Sequence, residues 1–335
     1  MKPLPPISIV IVSLNNERTL GECIRRIKDQ DYERNKIEYL AVDGGSTDRT
    51  VALFRKFGFH VIQSPIPRNA EAQRAIGIHG ATHNLIVSID ADNYLPTRSW
   101  LRQMVQPFQY DPTVIHAGTM YYAYRPGDSL FNRYVGLFGH ADPIAFYVGR
   151  PDRIPRYQKK WTLGTIISDT PGCTLVDFDV NSLPTVGCNG VVYRRDILLA
   201  HTKSAPQEFL HIDVFVDAIQ KRYTRFAIVK NDVIHDTAVS LPFLMKKRLA
   251  FLSHYSFTKE VHRRYLIYDP HSITSNMKLF LFCFYTVTFV KPFVDALRGY
   301  LVIRDVAWFA NPLICWIYLL SYGGATIRKV VRKFI

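Results

Sequence analysis

The 335-residue chain is 48% hydrophobic and carries 42 Lys+Arg against 28 Asp+Glu, which excludes wholesale disorder and fits one large domain or a domain with appendages. The charge is uneven: residues 246–335 hold 14 basic against 4 acidic side chains, whereas 1–245 hold 28 against 24. A basic excess confined to the most apolar part of the chain points to an anionic membrane surface rather than to nucleic acid, which favours a basic face without long uncharged runs.

Residues 7–13, ISIVIVS, read as a buried strand. The N-terminus enters this strand without a signal-peptide apolar core. The five cysteines (Cys23, Cys173, Cys188, Cys283 and Cys315) show neither metal-ligand spacing nor a disulfide framework. Both features predict a catalytic body in the reducing cytosol. Leu20, Ile24 and Ile27 predict a helix over 17–30, and residues 37–43 a second strand that ends at Gly44 and Gly45. Ser46 or Thr47 is expected to cap a helix through Val51, Phe54 and Phe57. A short strand over 59–62, a helix over about 69–81 and a strand over 85–90 follow. This alternation means a parallel, doubly wound α/β sheet.

The run Leu85-Ile86-Val87-Ser88-Ile89-Asp90-Ala91-Asp92 delivers two carboxylates at the end of a strand buried on both faces. In open α/β sheets chemistry gathers there. An Asp-X-Asp pair at that edge can hold Mg²⁺ or Mn²⁺ and, through it, a pyrophosphate; the same letters also suit a strand followed by a polar turn. Ser13, Asp43 and Asp90, each closing a strand, are expected along one sheet edge.

Residues 120–170 lose the rhythm and are rich in Tyr and Arg, as an acceptor-side insertion or as a surface excursion. Residues 186–190 read as a turn into a strand through Arg195, 212–221 as a helix and 225–229 as a strand. Two apolar stretches close the chain: 279–290, uncharged for 12 residues, and 306–327, uncharged for 22, which is long enough to span a bilayer. Lys291, Asp295, Arg298, Arg304 and Asp305 punctuate the interval, and Arg328, Lys329, Arg332 and Lys333 follow. A single crossing would put this tail on the outer side, against the positive-inside tendency. Interfacial or re-entrant helices are favoured over a spanning hairpin or a buried helical subdomain.

In order along the chain, residues 8–17 (SIVIVSLNNE), 42–48 (VDGGSTD), 73–77 (QRAIG) and 89–92 (IDAD) resemble the family 2 glycosyltransferases. So do Gly187-Cys188-Asn189-Gly190, Tyr193-Arg194-Arg195, His211-Ile212-Asp213 and Val233-Ile234-His235. The resemblance spans roughly 7–250 and implies a GT-A fold: a mostly parallel, Rossmann-like sheet flanked by helices, acting as an inverting, nucleotide-sugar-dependent enzyme. It divides the chain into a catalytic domain over 1–245 and a basic, apolar membrane-associating region over 246–335. Within the catalytic domain a nucleotide-sugar half covers about 1–119 and an acceptor half about 120–245.

Carried over by position, the resemblance implies that Ser13, Glu17, Asp43, Arg74 and Asp90 serve the nucleotide sugar, Asp43 at the base and Asp90 near the ribose. Asp92, with His235, would hold the divalent metal (Mn²⁺ or Mg²⁺), and Asp213 would be the general base on the acceptor. Ile212 stands where the family usually has an acidic residue, and Leu14 where it often has an aromatic. The basic stretch 245–250 lacks the Gln-X-X-Arg-Trp of processive synthases, so a single addition is expected.

The implied activity is transfer of one sugar to a lipid-linked or cell-envelope glycan acceptor at the cytoplasmic face of the membrane, with no nucleic-acid partner. The alternatives are a polyprenyl-phosphate glycosyltransferase and a non-catalytic nucleotide-sugar-binding protein.

Overall fold

The computed structural model describes residues 3–202, 206, 209–236, 242, 245, 246, 249, 250 and 263–331. Lys247 and Arg248 of the basic stretch, and Arg332 and Lys333 of the tail, lie outside the described residues. The chain divides into two compact units that are not contiguous in sequence: residues 1–120 with 161–235, and residues 121–160 with 236–335. The Tyr- and Arg-rich stretch after residue 120 thus groups with the C-terminal helices.

The first unit is built on strands β1 (Ile7–Ser13), β2 (Ile37–Asp43), β3 (His60–Gln63) and β4 (Leu85–Asp90), with helices α1 (Glu17–Lys28), α2 (Thr50–Lys56) and α3 (Ala70–Gly80) as connections. The order β3-β2-β1-β4 is parallel throughout, because each strand is joined to the next by a helical crossover. Ile7, Ile9, Val10 and Ile11 of β1 are fully enclosed, each contributing roughly 1.5–3 kcal/mol of apolar burial. Asn69 caps α3 through its side-chain oxygen, 3.0 Å from the Ala72 amide. At Gly77 a Cβ would sit 2.4 Å from Val10 Cγ1, so α3 lies against β1 at a separation only glycine permits.

Beyond β4 antiparallel pairs enter the sheet. The short β5 (Asn93–Tyr94), α4 (Trp100–Tyr110), β6 (His116–Tyr122), β7 (Thr165–Asp169), β8 (Cys173–Asp177) and β9 (Val191–Arg194) follow. After α7 (Arg195–His201) and α8 (His211–Gln220) the unit closes with β10 (Arg225–His235). The full order is β3-β2-β1-β4-β9-β6-β10-β8-β7, with β5 on β10. The β4–β9, β9–β6, β10–β8 and β8–β7 pairs are antiparallel. The sheet is therefore mixed, and the parallel character read from the first ninety residues belongs to one side of it.

Of the second unit, α5 (Leu130–Phe138) and α6 (Pro143–Tyr147) come from the middle of the chain. From the end come α9 (Ile273–Thr288), α10 (Val290–Val302), a 3-10 turn over Val306–Ala310 and α11 (Asn311–Val331). Asn311 ties these pieces together: its amide donates to the Tyr147 hydroxyl (2.8 Å) and the Pro292 carbonyl (3.2 Å), and its oxygen accepts from Tyr134. Asp295, fully buried, pairs with Lys291 and accepts from Tyr147. Such buried polar groups are tolerated because they are hydrogen-bonded.

Candidate active site

The register puts the polar strand ends together: Ser13 opposes Asp43, and Val12 opposes Asp90. The loops that leave β1 and β2 are then knitted side chain to backbone. Asn15, held at φ 54°, accepts from the Thr47 amide (2.8 Å) and donates its own amide to Ser46 Oγ (2.9 Å). Asn16 donates to Thr50 Oγ1, and Glu17 to Asp48. The Glu17 carboxylate accepts from Arg49 Nε at 2.6 Å, which lowers its pKa.

Asp43 is buried and spends both oxygens on its own turn. Oδ2 accepts from the Gly45 and Ser46 amides at 3.0 and 2.8 Å, and Oδ1 from Ser46 and Ser13 hydroxyls. Gly45, at φ 92°, supplies the left-handed residue this turn needs. Ser46 is therefore engaged with Asp43 and does not cap α2. Arg49 opens the helix without a side-chain cap, and Asp48 one residue earlier accepts from the Thr50 amide at 2.9 Å.

At the end of β4 the two carboxylates separate. The Asp90 amide donates to Asn93 Oδ1 at 3.1 Å, which tightens the turn that carries Asp92. The next residues form β5, whose Asn93 pairs with His235 at the end of β10. Trp100 Nε1 bonds the Asp232 carbonyl at 2.9 Å and fixes α4 to the same strand. Residues 143 positions apart in sequence thereby meet, with Asp92 Oδ1 3.7 Å from His235 Nε2. The Asn189 amide lies 3.3 Å from His235 Nδ1. The amide nitrogen donates there, so the neutral ring carries its proton on Nε2, the nitrogen that faces Asp92.

Asp90 turns the other way, into a buried row of alternating charges. Its Oδ1 is 2.6 Å from Arg74 Nη2, and Arg74 Nη1 is 2.9 Å from Glu71 Oε1. Glu71 Oε2 takes His211 Nδ1 at 2.9 Å and the His211 amide at 3.3 Å, while His211 Nε2 lies 2.7 Å from the Val186 carbonyl. Two acceptors on the two ring nitrogens require a doubly protonated imidazole. Burial opposes that charge, yet Cys188 and Glu71 hold the His211 pKa well above its ordinary value. Glu71 is likewise penalised by burial but held at about 2 by His211 and Arg74.

Asp213 occupies the first turn of α8, two residues beyond His211, and is 2% exposed. The structure thus collects Asp90, Arg74, Glu71 and His211 in one chain of contacts, Asp92 with His235 in a second, and Ser13 with Asp43 in a third. Sequence reasoning gave roles to six of these residues, Ser13, Asp43, Arg74, Asp90, Asp92 and His235, and none to Glu71, His211, Asn93 or Asn189. Glu71 had a signal, since it precedes Arg74 by three positions on a predicted helix and shares its face.

A sequence profile described as Glycosyl transferase family 2 matches residues 8–182, more than half of the chain. Glycosyltransferase AglE of Haloferax volcanii is 25% identical over 136 residues, which make up 39% of this chain and 44% of that protein. A Methanococcus voltae protein, dolichyl N-acetyl-alpha-D-glucosaminyl phosphate 3-beta-D-2,3-diacetamido-2,3-dideoxy-beta-D-glucuronosyltransferase, is 28% identical over 109 residues, or 31% of this chain and 34% of its own. The chain therefore spans less than half the length of these curated relatives. Among solved structures, a mannosyltransferase from Pyrobaculum calidifontis in complex with GDP-Man and Mn²⁺ shares the fold. Its TM-score is 0.54 at 14% identity, over 98% of this chain and 90% of that one. With a mixed sheet flanked by helices, an Asp-X-Asp turn at a parallel strand end and a profile match across both, the chain has the GT-A fold and belongs to glycosyltransferase family 2.

Proposed function

We propose that the protein is an inverting glycosyltransferase that moves a single sugar from a nucleotide-sugar donor to a lipid-linked or envelope-glycan acceptor at the membrane. The pairing of Asp92 with His235, made by β5 on β10, is the observation that carries this reading. Among the described residues no three His, Cys, Asp or Glu side chains form a closed metal cage. One carboxylate and one imidazole nonetheless suit a Mn²⁺ or Mg²⁺ ion that takes its other ligands from a diphosphate and water. Asp92 and His235 would hold that ion, which when bound neutralises charge on the departing diphosphate.

The remaining roles fall to the chain's own groups. The Asp43 turn and the glycines beside it present backbone to the base and ribose of the donor. Asp90 and Arg74 brace the strand end from which Asp92 projects. Attack of an acceptor hydroxyl on the anomeric carbon breaks that carbon's bond to the diphosphate oxygen, which leaves with the electron pair. Asp213 accepts the hydroxyl proton. The near-complete burial of Asp213 favours a second reading, in which the acceptor is already a phosphate, such as a polyprenyl phosphate, and no proton has to be removed.

The membrane assignment rests on the apolar surface of the C-terminal helices. Ile273, Met277, Phe280, Phe284 and Val287 are all exposed and stand on one stripe of α9 at alternating four- and three-residue spacing. Val290, Phe293, Leu297 and Leu301 extend the exposed apolar surface along α10. Helices α9 and α10 bend by 76°, and residues 306–327 are long and apolar enough to cross a bilayer, with 39% of that window buried. Exposed apolar stripes with Lys278, Lys291 and Arg298 among them suit helices lying in an anionic interface. All five cysteines are free thiols, which suits the cytoplasmic side. The Methanococcus voltae relative is named for a dolichyl-phosphate-linked acceptor, which supports a lipid-linked one here. We extend the same reading to the domains, with the donor half in 1–119, the acceptor half in 120–245 and the membrane region in 246–335.

The test is a screen of UDP-, GDP- and dTDP-sugars for Mn²⁺-dependent hydrolysis or transfer by the purified chain, with and without polyprenyl-phosphate and lipid-linked sugar acceptors. Turnover of one donor is expected. Nucleotide binding without turnover of any donor would support the non-catalytic alternative.

A further inference from the structure

The row Asp90–Arg74–Glu71–His211 contains two residues, Glu71 and His211, that the proposed reaction does not use. It is buried at its centre and opens at Asp90: side-chain exposure is 27% at Asp90, 8% at Arg74, 9% at Glu71 and 14% at His211. It also joins segments remote in sequence. Asp90 closes β4. Glu71 and Arg74 lie on the first turns of α3. His211 is the first residue of α8, and Val186 precedes the turn that carries Asn189.

The chemistry of the row explains why it tolerates burial. Charges alternate in sign, so each carboxylate has a cation on each side or a cation and solvent, and no charge is left uncompensated. Its geometry is more specific than charge balance needs. One Glu71 oxygen takes both the ring and the backbone amide of His211, which fixes the position and orientation of the residue that starts α8. The opposite ring nitrogen fixes the Val186 carbonyl. From there Asn189 reaches His235 at 3.3 Å, and His235 reaches Asp92. The contacts therefore return to the Asp90-Ala91-Asp92 turn from which they set out.

We infer that Glu71 and His211 are positioning residues that lock the start of α8, and with it Asp213, to the donor-side end of β4. The inference rests on the transferase reading of the site. The pair touches neither donor nor acceptor; it sets where the acceptor-side groups stand relative to Asp90 and Asp92. A displacement of about 1 Å in such a group is enough to lower turnover about a hundredfold.

The test uses the full chain and the double variant Glu71→Gln/His211→Gln, which removes the pair without stranding a charge, because Arg74 keeps Asp90. The double variant is expected to keep its far-ultraviolet circular dichroism and a donor KM within about threefold of wild type, while turnover falls about 10- to 100-fold. Hydrogen exchange should quicken in residues 186–190 and 210–216 and stay unchanged in β1, β2 and β4. Glu71→Asp, which keeps the charge on a shorter arm, should recover part of the turnover. Wild-type turnover in the double variant, or exchange that rises equally through the whole sheet, overturns the proposal. A wild-type chain inactive on every UDP-, GDP- and dTDP-sugar counts against the transferase reading, and the exchange result then decides the lock by itself.

Discussion

Both units bury paired charge, Asp295 and Asp305 in the second as well as the groups of the first, but they treat apolar surface in opposite ways. In the first, Asp43, Glu71, Arg74 and Asp213 are all buried, and Glu71 and Arg74 are held in ion pairs, while large apolar side chains are mostly covered. In the second, apolar groups are turned outward, and the exposed faces of α9 to α11 carry most of the large hydrophobic side chains left uncovered among the described residues. Buried charge is retained where geometry matters more than stability. Extended exposed apolar surface marks a face that meets something other than water. The contrast separates the region that holds the candidate site from one whose exposed apolar face we propose meets a lipid surface, and each side of it can be tested.

The largest effect is expected where a buried charge loses its partner. Glu71→Gln should lower stability by about 3–5 kcal/mol near neutral pH, measured by urea denaturation. Its pH dependence has a definite sign. The Glu71 pKa is lowered from 4.5 to about 2, so its contribution is present above 4.5 and lost as pH falls towards 2. The His211 pKa is raised above 6.5, so its share is complete below 6.5 and lost only as pH rises through the folded value. The gap between wild type and variant should therefore be widest between those limits and close on acidification. A gap that is constant from pH 7 to about 2 would refute the ion pair.

Asp92→Asn should reduce turnover about a hundred- to a thousandfold with the fold intact, and should weaken Mn²⁺ binding followed by electron paramagnetic resonance. Full activity in this variant would remove Asp92 from the metal site. On the other unit, Phe280→Ser/Phe284→Ser should weaken binding to vesicles containing anionic lipid by roughly 3–6 kcal/mol if both rings insert, without changing donor hydrolysis. Unchanged co-sedimentation would assign the exposed stripe to another partner. The smallest effect belongs to the turn ahead of α2: Asp48→Ala, which leaves the Glu17 and Thr50 amides without this acceptor, should cost about 1 kcal/mol of stability, readable as a lower melting temperature, whereas Thr47→Ala should be close to neutral.

Most strands were legible because their signal is local. Four parallel strands and three helices of the first ninety residues lie within a residue or two of where apolar runs and helical spacing put them. Ser46 misled for a local reason too: two side chains competed for one hydroxyl, and the Asp43 turn took it. The stretch after residue 120 was unreadable because its Tyr and Arg side chains are held by partners far along the chain, such as Tyr124 and Arg133 on Asp305. The same holds for 306–327. Its composition reads as one uninterrupted run, but Asp305 caps a 3-10 turn and Asn311 starts the helix proper.

What the sequence by itself determined was the succession of elements and the polar residues at their ends. Periodicity, glycine turns and an Asp-X-Asp at a strand terminus are properties of contiguous residues. What only the tertiary structure decided was which of those polar residues belong together. Asp92 meets His235 because two residues of β5 pair with β10, and Asp90 parts from Asp92 because Arg74 on α3 draws it inward. Contacts of that kind depend on sheet register and helix packing over a hundred residues or more. Asp90 and Asp92 look alike in sequence, but each charge is bound by a different distant partner in the fold.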